Sequence, residues 1–418
     1  MIDKFYYVKG GAERYMFELA EILKENGHTV IPFSMQSPNN LKTPYEKYFV
    51  SYLDFHSKSK KEALLIGLRS LSRIFYSLEA QRKLQRLIAE TRPDIAHLHM
   101  IDHQISPSIL PVLRTFKIPV VQTVHTFKLV CPTYRLYHMG KGKICEKCLH
   151  GAYWRALLEK CHKNSFFATL LVVLEMYFHK LLQIYERGID RFLVPSRFMG
   201  QKLIEGKIPK QKIQHLFYTI QVHQYPYHSN TEPYFIYYGR LSEEKGIMTL
   251  LRAMEGGGAL PLRIVGDGPQ RGPLEAYVRE RGIPNVYFEG NLDGKALFRK
   301  VSHARFVVVP SEWYENSPLV VYESFAMGKP VIGAHIGGIP ELITHGKDGF
   351  LFPPGDVQVL RQWILHLSSH PEILPRMGKC AREKAEREFS PQSHYKILIE
   401  IYKELLDSQK ASLNSTKG

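Results

Sequence analysis

The chain has 418 residues, of which 44% are hydrophobic and 23% are charged, and its formal net charge is +16. This length is too great for one ordinary hydrophobic core and predicts two domains, while the balanced composition excludes a wholly disordered or fibrous protein. Residues 1–229 hold 33 Lys and Arg against 18 Asp and Glu, so nearly all the excess charge lies in the first half.

The basic first half indicates an anionic partner. Because the sequence contains no motif that reads nucleic acid, we expect an anionic membrane surface and no nucleic-acid partner. The alternative is an ordinary solvated surface.

The N-terminus and the most apolar stretch bear on localisation. The first four residues, MIDK, lack the charged and apolar regions of a signal peptide. Residues 166–178 are apolar but interrupted by Glu175, and they are fewer than the roughly 20 that a spanning helix needs. We therefore expect a cytoplasmic protein, either free or peripheral on the inner face of the membrane, with this stretch as a buried or interfacial helix.

Helical and strand-like patterns alternate along the first half, which predicts a parallel, doubly wound sheet. Helices are predicted over 12–26, 69–90 and 106–116, and strands over 29–33, 94–99, 120–124 and 191–194.

Residues 218–233 contain two Pro and little periodicity, so they predict a linker between domains. After them the alternation restarts, with a last helix over 390–406. Strands are predicted over 235–238, 262–265, 286–289, 306–310 and 331–334.

Two strand ends carry groups suited to a phosphate, since ligands of such sheets bind where strands end and helices begin. Gly239 permits a turn after a predicted strand, and Arg240 and Lys245 then lie five residues apart. Two cations at one point suit a diphosphate, and two solvated cations on a surface turn are the alternative. Gly266 and Asp267 form a second such turn.

A pair of carboxylates follows the predicted strand over 306–310. Glu315 and Glu323 are eight residues apart, and Pro318 suits a first helical turn with Ser317 as its N-cap. Glu315 then lies in a loop and Glu323 in the helix, so that together they can hold two ends of a polyhydroxylated ligand. The backbone N–H groups of 316–319 can meet a phosphate or a sugar hydroxyl; a merely exposed Glu323 is the alternative.

Arg240, Lys245 and the Glu315-x7-Glu323 pair resemble the signature of glycosyltransferase family 4, a retaining family with the GT-B fold. The resemblance implies an α/β protein of two Rossmann-like, doubly wound domains that face a central cleft. Further matching pieces occur in order as GGAE at 10–13, GDGP at 266–269, SE at 311–312, ESFAMGKPV at 323–331, GGIPE at 337–341 and GFLFPPGD at 349–356.

The resemblance also implies the domain roles. An N-terminal acceptor-side domain is expected over 1–222, with a Cys-rich insertion near 127–165. A donor-binding domain is expected over 223–390, and a C-terminal helix and tail over 391–418 are expected to pack back toward the N-terminal domain.

Residue roles follow from the same resemblance. Arg240 and Lys245 are expected to bind the donor's diphosphate, and Glu315 and His125 to lie at the donor sugar, as the catalytic set; unaided, His125 reads as a structural histidine. Glu323 is expected to bind the ribose hydroxyls, and catalysis is expected to need no cofactor, since no Asp-x-Asp motif occurs. The other expected donor-binding residues are Gly10, Gly11, Gly239, Gly266, Asp267, Asn316, Ser317, Pro318 and Leu319.

Two features depart from the family. Members usually begin with an apolar strand before the Gly-Gly loop, and here only residues 1–8 precede it, so we expect a shortened first strand. Four of the five cysteines cluster, at Cys131, Cys145, Cys148 and Cys161. Their spacing suits a structural zinc site, with an iron–sulfur cluster or unliganded thiols as alternatives.

The predicted function is retaining transfer of a sugar from a nucleotide-diphosphate sugar. The expected acceptor is a lipid-linked, polysaccharide or lipopolysaccharide precursor at the cytoplasmic membrane face. A catalytically silent relative that acts as a binding or scaffold protein is the alternative, and a nucleic-acid binder driven by the basic half is a third hypothesis.

Overall fold

Two parallel β-sheets, one in each half of the chain, organise the protein. The computed structural model describes residues 1–52, 73–228 and 231–415. The predicted α/β architecture of two Rossmann-like domains is confirmed. The strands are β1 (Ala96–Leu98), β2 (Val120–Thr123), β3 (Tyr137–His138), β4 (Lys143–Ile144), β5 (Arg191–Val194), β6 (Ile213–His215), β7 (Phe235–Tyr238), β8 (Leu262–Val265), β9 (Val286–Gly290), β10 (Val307–Val309), β11 (Val331–Ala334) and β12 (Gly349–Phe352).

The N-terminal sheet has the order β1-β2-β5-β6, and the C-terminal sheet has the order β12-β11-β10-β7-β8-β9, all parallel. Strands β7, β10 and β11 are buried along their whole length, as expected for a parallel sheet covered by helices on both faces. A small antiparallel hairpin, β3–β4, stands apart from both sheets.

The helices are α1 (Gly11–Glu25), α2 (Leu78–Thr91), α3 (Ile109–Thr115), α4 (Arg155–Leu158), α5 (Phe166–Leu181), α6 (Ile184–Gly188), α7 (Arg197–Glu205), α8 (Ile247–Met254), α9 (Arg271–Glu280), α10 (Gly294–His303), α11 (Leu319–Ala326), α12 (Ile339–Leu342), α13 (Val357–Ser369), α14 (Leu374–Glu388) and α15 (Pro391–Ser415). The helix predicted over 69–90 is interrupted before α2, because Ser77 caps α2 by accepting from the N–H of Ala80. The part of that prediction before residue 73 lies outside the described residues.

The strand predicted over 29–33 does not form. Only Phe33 makes a parallel bridge, to Ile2, which also bridges Leu98. Residues 28–31 instead border a groove of about 580 Å³ beside Met1. The Met1 ammonium lies in this buried setting and donates to the carbonyl of Ile31 at 2.8 Å, and burial lowers its pKa to about 5.

Helix α5 is apolar on both its inner and outer faces. Its one acidic residue, Glu175, points inward and accepts from Lys128 Nζ at 2.8 Å. Its outer face exposes Phe167 and Leu181 by 80% and 82%. Because its carboxylate is buried, Glu175 interrupts the apolar stretch in the sequence without placing a negative charge on the outer face of α5. Across the described ranges, no helix combines the length and apolarity needed to cross a bilayer.

The C-terminal helix α15 returns to the N-terminal domain. His394 Nδ1 lies 2.9 Å from the carbonyl of Phe217, and its Nε2 lies 3.0 Å from the hydroxyl of Tyr15 on α1. Further along, the hydroxyl of Tyr402 lies 2.5 Å from Nδ1 of His97 on β1. The last helix therefore joins both halves of the chain.

His394, which is buried where α15 meets the N-terminal domain, makes the free energy of unfolding depend on pH. Burial lowers the pKa of His394 to about 4 from 6.5, so unfolding takes up a proton below about pH 6.5 and the stability that the neutral ring confers is lost as pH falls toward 4. We expect the wild type to lose about 2 kcal/mol more unfolding free energy between about pH 7.5 and pH 5 than His394→Gln, whose amide offers a donor and an acceptor but does not titrate. Denaturant titrations at the two pH values measure this, with the exposed His335→Gln as control; equal losses in wild type and His394→Gln contradict it.

Candidate functional site

A cleft of about 690 Å³ lies between the two domains. The residues that follow β7 and β10 line it from the C-terminal domain, and the residues around the start of α1 line it from the N-terminal domain. Among the residues predicted from sequence, those that line it are Gly10, Gly11, His125, Arg240, Lys245, Glu315, Asn316, Ser317, Pro318, Leu319 and Glu323.

Lys245 and Glu315 meet because two turns approach each other closely. Gly246, next to Lys245, has φ +66°, and a Cβ there would lie 1.9 Å from the carbonyl oxygen of Pro310. Only glycine allows this approach. It brings Lys245 Nζ to 2.6 Å from Oε1 of Glu315, which also accepts from the Ser311 hydroxyl at 2.8 Å.

The charges in this part of the cleft are unequally satisfied. Glu315 is 7% exposed, and burial acts to raise its pKa. The charge and hydrogen bond of Lys245 and the bond from Ser311 outweigh burial, so the pKa lies below its ordinary value. Arg240 is exposed, and within the described part of the chain its side chain has no carboxylate partner. Of these two cations, Arg240 is therefore free to meet an anion in the cleft, whereas Lys245 is already paired.

Three of the predicted donor-binding residues do not line the cleft. A Cβ on Gly266, whose φ is +136°, would lie 1.9 Å from the carbonyl oxygen of Gly239, so these two glycines let neighbouring strand ends touch. Asp267 is exposed, its carboxylate accepts from the N–H of Gly268 at 2.7 Å, and its carbonyl accepts from the N–H of Leu241. Gly239, Gly266 and Asp267 therefore support the loop that carries Arg240 without lining the cleft themselves.

The loop before α11 differs in detail from the prediction. The helix begins at Leu319, with Pro318 as the N-cap residue and no side-chain cap. Ser317 is not the N-cap, because its hydroxyl lies 2.6 Å from the Tyr322 hydroxyl.

Asn316 ties the two domains together. Its Nδ2 donates to the carbonyls of Val124 and His125 at 3.2 and 3.3 Å, and its Oδ1 accepts from the Ser196 hydroxyl at 3.2 Å. The side chain is thus engaged, while the backbone N–H groups of Asn316 and Ser317 have no hydrogen-bond partner among the described residues. The backbone, rather than the amide side chain, is available to a ligand here.

His125 borders the cleft but turns its ring inward. Nδ1 lies 2.7 Å from the Tyr218 hydroxyl, and Nε2 lies 3.0 Å from Nδ1 of His99. The His99 ring stacks on His125 and on His97, and burial lowers the pKa of His125 to about 3. Both ring nitrogens therefore serve internal contacts, and the imidazole is neutral at physiological pH.

The Gly-Gly loop approaches the other domain. Gly10 has an extended backbone that any residue adopts, so its conformation does not require glycine. A Cβ on Gly11 would lie 3.2 Å from Cδ1 of Leu319. Gly11 thus allows α1 to begin close to the start of α11.

The sequence patterns missed one cleft residue that makes strong contacts. Arg14, in the first turn of α1, donates from Nη1 to Oε1 of Glu323 and from Nη2 to the Tyr225 hydroxyl, both at 2.5 Å. The only signal for it was its place directly after the GGAE piece. Glu323, expected to bind a ribose, therefore has an arginine on one oxygen.

Two family descriptions match the sequence. "Glycosyltransferase Family 4" matches residues 9–216, and "Glycosyl transferases group 1" matches residues 222–384. The chain belongs to glycosyltransferase family 4. Both of its domains are thus accounted for by the family, and the predicted resemblance is confirmed.

Curated relatives of this family 4 chain match over part of their own length. Sulfoquinovosyl transferase SQD2 of Arabidopsis thaliana is 29% identical over 343 residues, which cover 78% of this chain and 60% of that protein. O-antigen chain mannosyltransferase C of Escherichia coli is 29% identical over 178 residues, which cover 42% of this chain and 48% of that protein. The chain therefore spans less than two thirds of either relative.

Solved structures share the fold over nearly the whole chain. HepE of Anabaena, in complex with UDP, has a TM-score of 0.66 at 15% identity and covers 96% of this chain and 98% of that one. Sucrose-phosphate synthase of Thermosynechococcus elongatus has a TM-score of 0.67 at 20% identity and covers 97% and 96%. The predicted GT-B fold is confirmed.

The Cys-rich insertion of the family 4 chain brings its four thiols into electrostatic contact. Burial, together with the nearby Cys131, Cys161 and Cys145 thiols, raises the pKa of Cys148 to about 12. All four thiols are free. In the part of the chain that the structure describes, no three His, Cys, Asp or Glu side chains are grouped to hold a metal. The zinc hypothesis thus stays a prediction.

The zinc hypothesis is checked by metal analysis of purified protein. Four thiolates around one ion would give close to one zinc per chain, and the double substitution Cys145→Ser, Cys148→Ser should remove it. Cys380 lies outside the insertion, so Cys380→Ser should leave the zinc in place. A wild-type content well below one zinc per chain contradicts the hypothesis.

Proposed function

We propose that the protein is a retaining glycosyltransferase that moves a sugar from a nucleoside-diphosphate sugar to an acceptor. The proposal is carried by one observation: Arg240, Lys245, Glu315 and Glu323, from three separate loops and helices, line one cleft between two domains. Two cations beside two buried carboxylates suit a ligand with a diphosphate flanked by hydroxyl-bearing sugars.

Each residue would act on a different part of the donor. Arg240 and Lys245 would bind the diphosphate and stabilise the negative charge that grows on it as the glycosidic bond breaks. Glu315, held in place by Lys245 and Ser311, would accept hydrogen bonds from the hydroxyls of the transferred sugar. Glu323 would accept from the ribose, and the free N–H groups after Glu315 would add donors. Retention of configuration rests on the family relationship.

The relatives support the donor and acceptor classes. HepE is described in complex with UDP and with UDP-glucose. One relative is named an O-antigen chain mannosyltransferase, and another is named an amylovoran biosynthesis glycosyltransferase. A nucleotide-sugar donor and a polysaccharide, lipopolysaccharide or lipid-linked acceptor are therefore the classes that we propose here, with no cofactor needed for catalysis.

The proposed reaction is tested by donor turnover and by the anomeric configuration of the product. Screening purified protein against nucleotide sugars should find one that is hydrolysed or transferred, with the donor's configuration kept, as NMR of the product would show. Lys245→Ala should lower kcat/KM by roughly 10²–10³-fold, because it removes charge stabilisation that grows in the transition state.

The control for this experiment is Lys379→Ala, which removes a cation on α14 that is paired with Glu383 at 3.8 Å. It should keep wild-type turnover. Nucleotide-sugar binding without any hydrolysis or transfer would favour the silent binding protein instead, and inversion of configuration would contradict a retaining mechanism.

We also propose that the N-terminal domain rests on an anionic membrane surface through the outer face of α5 and the adjoining α4. Phe167, Leu181 and Leu158 are 80%, 82% and 74% exposed. Three exposed cations lie on α4 and in the loop between α4 and α5, namely Arg155, Lys160 and Lys163. Apolar side chains flanked by cations fit the boundary between lipid tails and anionic headgroups.

Vesicle binding tests this surface. The wild type should sediment with vesicles containing phosphatidylglycerol more than with phosphatidylcholine alone, and Phe167→Glu with Leu181→Glu should abolish binding, because charge there opposes insertion. Tyr287→Glu, at a half-exposed position of β9, is the matched control. Equal binding by the double variant, or a dimer in light scattering that the double variant dissociates, contradicts a membrane role for this face.

A further inference from the structure

A cation of the N-terminal domain holds a carboxylate of the donor-binding domain. Arg14 Nη1 lies 2.5 Å from Oε1 of Glu323, and its Nη2 lies 2.5 Å from the Tyr225 hydroxyl. Nε lies 3.5 Å from a carboxylate oxygen of Glu18 on the same helix. The guanidinium thus crosses the cleft with a two-pronged contact, which fixes its plane as well as its charge.

The carboxylate that Arg14 holds is poorly solvated. Glu323 is 4% exposed, and burial raises its pKa, an effect that Arg14 opposes. A buried carboxylate without a partner is costly. Arg14 supplies a positive charge and a hydrogen bond to this carboxylate.

Two other contacts between the domains leave the Glu323 carboxylate free. Glu341 accepts from the backbone N–H groups of Arg197 and Phe198, both at 2.7 Å, where α7 begins. Asn316 reaches backbone carbonyls. Those contacts can persist with a ligand in the cleft, whereas the Arg14 contact takes up an oxygen of the proposed ribose site.

We propose that Arg14 competes with the ribose hydroxyls of a nucleoside diphosphate for Glu323. The inference rests on the proposed function. A nucleoside diphosphate binds by replacing the guanidinium on Oε1 with a hydroxyl, and the cleft contact between the two domains is released in the same step. Because only the fraction of the protein in which Arg14 has left Glu323 can bind the ribose, Arg14 lowers the apparent affinity by that fraction.

The competition predicts that ribonucleotides and 2′-deoxynucleotides respond differently to the loss of Arg14. A ribonucleotide offers two neighbouring hydroxyls to the two oxygens of Glu323, while a 2′-deoxynucleotide offers one. Displacing Arg14 therefore matters more for the ribonucleotide. If Arg14 instead bound the diphosphate, its loss would weaken both nucleotides equally.

Calorimetric titration of the full chain decides between these cases. Wild type, Arg14→Ala and Arg14→Lys are titrated with the nucleoside diphosphate whose base binds and with its 2′-deoxy form. We expect Arg14→Ala to bind the ribonucleotide about tenfold more tightly and the deoxynucleotide with a smaller gain. Arg14→Lys, which keeps the charge but not the two-pronged contact, should lie between wild type and Arg14→Ala.

The matched control is Arg191→Ala, which removes an ion pair with Glu404 at 3.1 Å and a hydrogen bond to the carbonyl of Gln211, away from the cleft. It should bind both nucleotides as the wild type does. Weaker or unchanged ribonucleotide binding by both Arg14 variants overturns the competition while leaving the proposed function standing. No binding of any nucleoside diphosphate by the wild type overturns both. If Arg14→Ala does not fold, Arg14→Lys decides alone. Tighter ribonucleotide binding than in the wild type supports the competition, and weaker or unchanged binding overturns it.

Discussion

Two buried carboxylates, Glu315 and Glu323, set the state of the cleft, because a carboxylate withdrawn from water must be paired. Glu315 is paired within its own domain, by Lys245. Glu323 is paired across the cleft, by Arg14. The pairing with Lys245 fixes Glu315 without any contact from the other domain. The pairing with Arg14 joins Glu323 to the N-terminal domain.

This requirement explains why the site lies between domains. Burial on both sides gives the cleft a low dielectric, in which each charge is worth more than it would be on an open surface. The same burial keeps His125 neutral, within a stack of rings that ends at the C-terminal helix through Tyr402. The N-terminal domain thus contributes a wall of buried rings, and the C-terminal domain contributes most of the charged groups that line the cleft.

Sequence patterns predicted the C-terminal sheet best, since buried apolar strands such as β7, β8 and β11 have the predicted bounds. They missed β6 and β12, whose residues include Gln, His and Gly. The prediction of a strand over 29–33 was wrong, because within that range only Phe33 pairs with a neighbouring strand. The cleft residues were found through motif spacing. Arg14, the inward ring of His125 and the bond from Ser317 to Tyr322 were not, because each depends on a tertiary contact that local pattern does not encode.

The central claim is that the cleft binds a nucleoside diphosphate through Glu323 and the neighbouring cations. Thermal unfolding of the full chain with uridine, adenosine and guanosine diphosphates tests it most directly, since a ligand that binds only the native state raises the midpoint as its concentration rises. The account predicts that at least one of these raises the midpoint in the wild type and that Lys245→Ala reduces the rise. A midpoint that none of the three diphosphates changes would contradict the account.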